Sequence, residues 1–160
     1  MTTSALVLPL MLMAALASQA DRAVEISVPR SESFAREWST TDFDHDLWDA
    51  ALKDHVDSAG LVNYDAICRD PHFLEYLHRL ANTPPDKLAD AAARQAFWIN
   101  AYNALAVQGV CHARPAEGDG RTAFSVIDYR LPGVEGKAFF TGLRFQVGGR
   151  RYTLDEIEAM

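Results

Sequence analysis

Asn100 and Asn103 stand three residues apart in the apolar run AFWINAYNALAVQGVC, residues 96–111. On a helix that spacing puts both side chains near one face. A carboxamide both donates and accepts, so the pair forms a polar rim able to orient a substrate amide or carboxylate, or to steady an oxyanion. A second reading gives them structural work, holding the backbone of a neighbouring loop such as Gly60–Tyr64. Tyr64 is the third pocket candidate, through its hydroxyl, with core anchoring as its alternative. Trp98 and Tyr102, four apart and on the face opposite the asparagines, read as core packing or as a stacking platform.

The remaining reactive side chains do not assemble into a familiar centre. The five histidines (His45, His55, His72, His78 and His112) include no i, i+4 pair and no His-Glu-x-x-His, so no metal site is expected. Asp44-His45-Asp46 reads as a charged helix start. Cys111 and His112 are adjacent, and neighbouring helix residues do not face each other. Cys68 and Cys111 form no Cys-x-x-Cys motif. They fit either two buried small apolar side chains or, in an exported protein, a disulfide. The sequence holds no Gly-x-Ser-x-Gly elbow, phosphate loop or dinucleotide fingerprint, so no cofactor is expected. The catalytic residues, if any, are unknown at this point.

The elements that must position these groups follow from periodicity. Leu47, Trp48, Ala51, Leu52 and Val56 recur at helical spacing up to Gly60. Asp42 or Asp44 can cap that helix. Gly60–Tyr64 reads as short and extended. Asp70-Pro71 opens a second helix with an apolar stripe (Phe73, Leu74, Leu77, Leu80), closed by Pro84-Pro85. A long helix follows over about residues 90–112, and its apolar character nearly all round predicts burial in the core. Leu143, Phe145 and Val147 alternate with polar residues, and Gly148-Gly149 predicts a β-hairpin within residues 139–152. Thr153-Leu154-Asp155-Glu156 is a capping box that announces a further helix, or a short terminal turn docked on the hairpin. The fold class is therefore α+β, mainly helical.

Composition bounds the rest. The 160 residues are 49% hydrophobic and 23% charged, which suits one globular domain. A net charge of -7 argues against nucleic acid as a partner, because the phosphate backbone rewards clustered Lys and Arg. Residues 5–17, ALVLPLMLMAALA, are uncharged and too short to span a bilayer, where about 20 apolar residues are needed. With Ser18-Gln19-Ala20 they read as a signal peptide cleaved before Asp21, although the n-region carries no Lys or Arg. The expectation is a periplasmic or extracellular protein with no stable membrane span after cleavage. Residues 21–41 read as a linker or flexible arm, and residues 42–160 as the domain.

The segment QAFWINAYNALAV, residues 95–107, resembles the signature of the domain of unknown function 547 family. Trp48, Gly60–Tyr64 (with Asn63 where the family has Asp), Phe139-Phe140 and Thr153–Glu158 fall in the family's order, so the resemblance spans about residues 44–160. It implies an N-terminal portion only. The family pattern continues into a His-Phe segment and a Cys-containing stretch that look like a papain-like centre, and both are missing from this sequence. It also implies a small-molecule or peptide ligand, and no cysteine-type turnover by these residues. The alternative is a non-catalytic interaction module of the cell envelope. Oligomeric state is not legible in the sequence.

Overall fold

The computed structural model describes residues 23–28, 41–115, 124–133 and 136–160. The signal segment and most of the expected linker lie outside the described residues.

The first helix, α1 (Asp46–His55), buries Trp48 and Ala51. Its N-cap is His45, whose side chain does not cap; the Asp44 carboxylate instead accepts from the Asp46 N–H at 3.3 Å. Val56 then bridges Val62, and the chain turns into a four-residue helix, α2 (Tyr64–Ile67). The expected extended element is thus shorter than Gly60–Tyr64. Asn63 ends it, because its side-chain oxygen accepts from the Ala66 N–H at 3.2 Å and caps α2.

In α3 (Pro71–Asn82) the Asp70 carboxylate caps the first turn through the Phe73 N–H at 2.9 Å, and Pro71 occupies a position that needs no donor. A 3₁₀ turn at Pro85–Lys87 leads to α4 (Ala91–Ala113), capped by Asp90 through the Ala93 N–H at 2.8 Å. A short helix, α5 (Phe139–Gly142), runs into the hairpin of β2 (Leu143–Val147) and β3 (Arg150–Tyr152). Gly148 and Gly149 have φ of 55° and 81°, the left-handed turn that two-residue hairpins favour. The chain closes on α6 (Leu154–Glu158), with both bonds of the Thr153–Glu156 capping box formed at 3.1 and 2.8 Å.

One part of the expected linker is structural. Val24–Glu25 forms β1, which pairs in parallel with Leu143–Arg144 and makes the sheet order β1-β2-β3. Its neighbour Ile26 is only 4% exposed. A strand this short has too few residues to show an alternation, which is why periodicity did not reveal it.

The core lies where the helices meet the hairpin: Phe73, Tyr76 and Leu80 of α3, Phe97 and Leu105 of α4, Phe145 of β2 and Leu154 of α6. Gly109 of α4 permits the closest approach, since a Cβ there would sit 2.7 Å from the Phe139 ring. The expected central buried helix is α4, with one side left open. Phe97, Ala101, Ala104 and Leu105 are buried, whereas Ile99 is 54% exposed. Among the described residues no helix is long and apolar enough to cross a membrane.

Candidate functional site

The open side of α4 forms one wall of a groove. Arg94, Trp98, Ile99, Tyr102 and Asn103 line it, one or two residues from each successive turn. The C-terminal segment supplies the other wall through Ile157, Glu158 and Met160. The open groove has a volume of about 730 Å³, within the range of small-ligand sites. α6 holds this wall in place because Leu154 and Ile157 are buried against the core while Glu158 stays exposed.

Two aromatics shape the floor. Trp98 is half-buried and meets Tyr152 edge-on at 5.4 Å, which ties the groove to the hairpin. Tyr102 is also half-buried. Its phenol pKa is raised, first by burial and then by the charges of Glu158 and Asp155. Both rings pack against the core, as the core reading expected, and both also line the groove beside Asn103, which corrects their placement on the face opposite that asparagine.

The three pocket candidates separate. Asn103 lines the groove and is exposed. Asn100 lies outside that lining and donates from Nδ2 to the Ala96 carbonyl of its own helix at 3.0 Å. That bond replaces the expected tie to the Gly60–Tyr64 loop. Tyr64 opens α2 and packs against the core, away from the groove. The lining residues that the sequence did not assign to a site include Arg94, Ile99 and Glu158. Ile99 carried a signal in principle: it shares a ridge with Asn103, four residues on.

A second polar cluster joins α1 to α3. His55 Nε2 lies 3.0 Å from Asp70 Oδ2, and both side chains are largely buried. Burial pushes the Asp70 pKa up, yet the bonds from His55 and the Phe73 N–H, with the nearby histidine charges, bring it below the usual value. Asp54, Asp70 and His72 place donor atoms within 4.8 Å of one another. Asp70 already uses Oδ1 for the helix cap and Oδ2 for His55, at the positive end of α3. The chemistry of this cluster is that of a cap and an interhelical tie.

Cys68 and Cys111 are joined in a disulfide with a Cα–Cα separation of 5.6 Å, linking the end of α2 to α4. The disulfide reading of the two cysteines therefore holds and the reading as separate buried thiols does not. Neither sulfur is a thiolate nucleophile in this state. Beside it, Arg114 pairs with Asp65 and fastens the end of α4 to α2.

Comparison with protein families matches residues 85–160 to the family described as "Protein of unknown function, DUF547". The match takes in α4, the hairpin and α6. The resemblance read in the sequence is thus shown for this segment, and the stretch from residue 44 to 84 lies outside the match. No curated protein and no solved structure matches the chain.

Proposed function

With residues 85–160 matched to the DUF547 family, we propose that this chain is an exported ligand-binding domain whose site is the groove between α4 and α6. The observation that carries the reading is the exposed side of the family-like helix, where Trp98, Ile99 and Tyr102 form an apolar floor bordered by Arg94, Asn103 and Glu158. Concave sites with an apolar lining and a few polar groups are the usual form of small-ligand pockets. The papain-like chemistry implied by the resemblance has no thiol to act through here, because both cysteines of the sequence are in the disulfide. The activity proposed for these residues is binding.

Export is supported by two independent features. The uncharged run at residues 5–17 has the length of a signal core, and small residues precede the expected cut at Asp21. The Cys68–Cys111 disulfide suits an oxidising compartment.

The test is a thermal-shift screen of small aromatic amides and aliphatic acids. A ligand that binds only the folded state raises its melting temperature. Hits should stabilise the unaltered protein and lose their effect in Ile99→Glu, which places a charge on the groove floor at a residue that is already 54% exposed. Equal stabilisation of both proteins would remove the groove from consideration. The same exposed apolar floor suits a protein partner in the cell envelope. Recovery of one stoichiometric partner by the unaltered protein, lost in Ile99→Glu, with no small-molecule hit, would favour that reading.

A further inference from the structure

The groove carries opposite charges at its two ends. Arg94 lines it near the start of α4, and Glu158 lines it beside Tyr102. Arg94 and Tyr102 are eight residues apart on one helix, which is about 12 Å along the axis at about 1.5 Å per residue. Between them lie Trp98 and Ile99. Among the described residues neither Arg94 nor Glu158 takes part in an ion pair. Arg94 makes one long contact, from Nη1 to the Leu88 carbonyl at 3.4 Å, and a guanidinium has five donors to offer. Asp155 adds a second negative charge near Tyr102.

A complementary ligand is therefore extended and dipolar, with opposite charges at its ends and an apolar middle matched to the roughly 12 Å of helix between Arg94 and Tyr102. A peptide strand advances about 3.3 Å per residue, so three or four residues span that distance. Capture of a free peptide terminus is a recurring mode of recognition. We propose that the groove binds short peptides with free ends, the α-carboxylate at Arg94 and the α-amino group at the Glu158–Asp155 end, with central apolar side chains on Trp98 and Ile99. This rests on the reading of the groove as a ligand site.

Calorimetric titration with the tetrapeptide Ala-Leu-Leu-Ala tests it, using four forms: free, Nα-acetylated, C-terminally amidated and doubly blocked. The free peptide should bind, and each single block should weaken binding at least fivefold. The amidation effect should vanish in Arg94→Gln and the acetylation effect should shrink in Glu158→Gln. Blocking the peptide leaves the protein unaltered, so the comparison does not depend on the variants folding. Equal binding of free and doubly blocked peptide overturns the proposal, as does no peptide binding by a protein that still yields Ile99-dependent thermal shifts. In both cases the groove remains a ligand site for another chemical class. Failure of the thermal-shift screen and of every peptide together removes the groove reading itself.

Discussion

His45 and Asp70 show how single residues make this fold sensitive to acid. Burial lowers the His45 pKa below its usual value near 6.5, against the opposing pull of Asp44 and Asp46. The ring sits 2.7 Å from the Tyr76 hydroxyl, whose own pKa burial and the Asp44 charge raise far above its usual value. The folded state therefore prefers neutral His45. Stability from this group is present above the unfolded value and is lost as pH falls from about 6.5 through the folded value. Asp70, also lowered, adds a second loss that begins only as pH falls below about 3.8. Melting temperature should thus decline in two steps on acidification, and His45→Gln should abolish the upper step. An unchanged profile between pH 7 and 5 in that variant would refute the assignment. Little of this was legible beforehand: the sequence marked His45 as part of a charged helix start, but the partner Tyr76 lies 31 residues away. Asp70 was legible as a cap because that bond is local, while its tie to His55 is not.

The hairpin acts as a clasp on the end of α3. Its turn donates from the Gly148 N–H to the Leu80 carbonyl at 3.0 Å and from the Gly149 N–H to the Ala81 carbonyl at 2.8 Å. Both carbonyls belong to the last turn of a helix, where no intrahelical donor remains. Gly148 combines a φ of 55° with contact so close that a Cβ would meet Pro85 Cδ at 2.8 Å and the Thr83 carbonyl oxygen at 3.0 Å. Gly148→Ala should cost about 2 kcal/mol or more in chemical denaturation, joining backbone strain to overpacking. Gly149→Ala, with a similar φ of 81° but open space at Cβ, should cost less. Equal losses would show that turn strain alone decides the effect and that the docking contributes nothing.

The sequence reading captured each long element because each had a local signature: the cap at Asp70, the apolar run of α4, the Gly148-Gly149 turn, and the Thr153–Glu156 box. What it missed was tertiary. β1 is two residues long and exists only because β2 has an open edge. The open side of α4 carries Trp98, Ile99 and Tyr102, so a count of apolar residues could not separate a groove floor from a core face. For the same reason two of the three pocket candidates, Asn100 and Tyr64, lie away from the groove while Asn103 lines it.

At the scale of the molecule, the disulfide is the main covalent constraint. It closes a loop between residues separated by 43 positions and holds α2 against the helix that carries the groove. Chain-entropy reasoning assigns a loop of that length about 4 kcal/mol of stabilisation. Replacing both Cys68 and Cys111 by Ser should lower the unfolding free energy by about that amount, and reductant should do the same to the unaltered protein. A double variant as stable as the parent, or one indifferent to an oxidising buffer while the parent is equally indifferent to reductant, would remove the bond from the account of stability and weaken the case for export. The groove sits on the far wall of the same helix, so the domain joins a stapled core to an open apolar floor.

The claim that this floor is the binding site is tested most directly by mapping amide shifts in ¹H–¹⁵N spectra with a saturating hit from the ligand screen. Perturbations should concentrate in residues 91–103 and 154–160, on the two walls that carry Trp98 and Glu158. Shifts centred instead on the shallow cleft of His55, Asp57 and Asn63 would contradict it, because that cleft belongs to the α1–α2 side of the molecule.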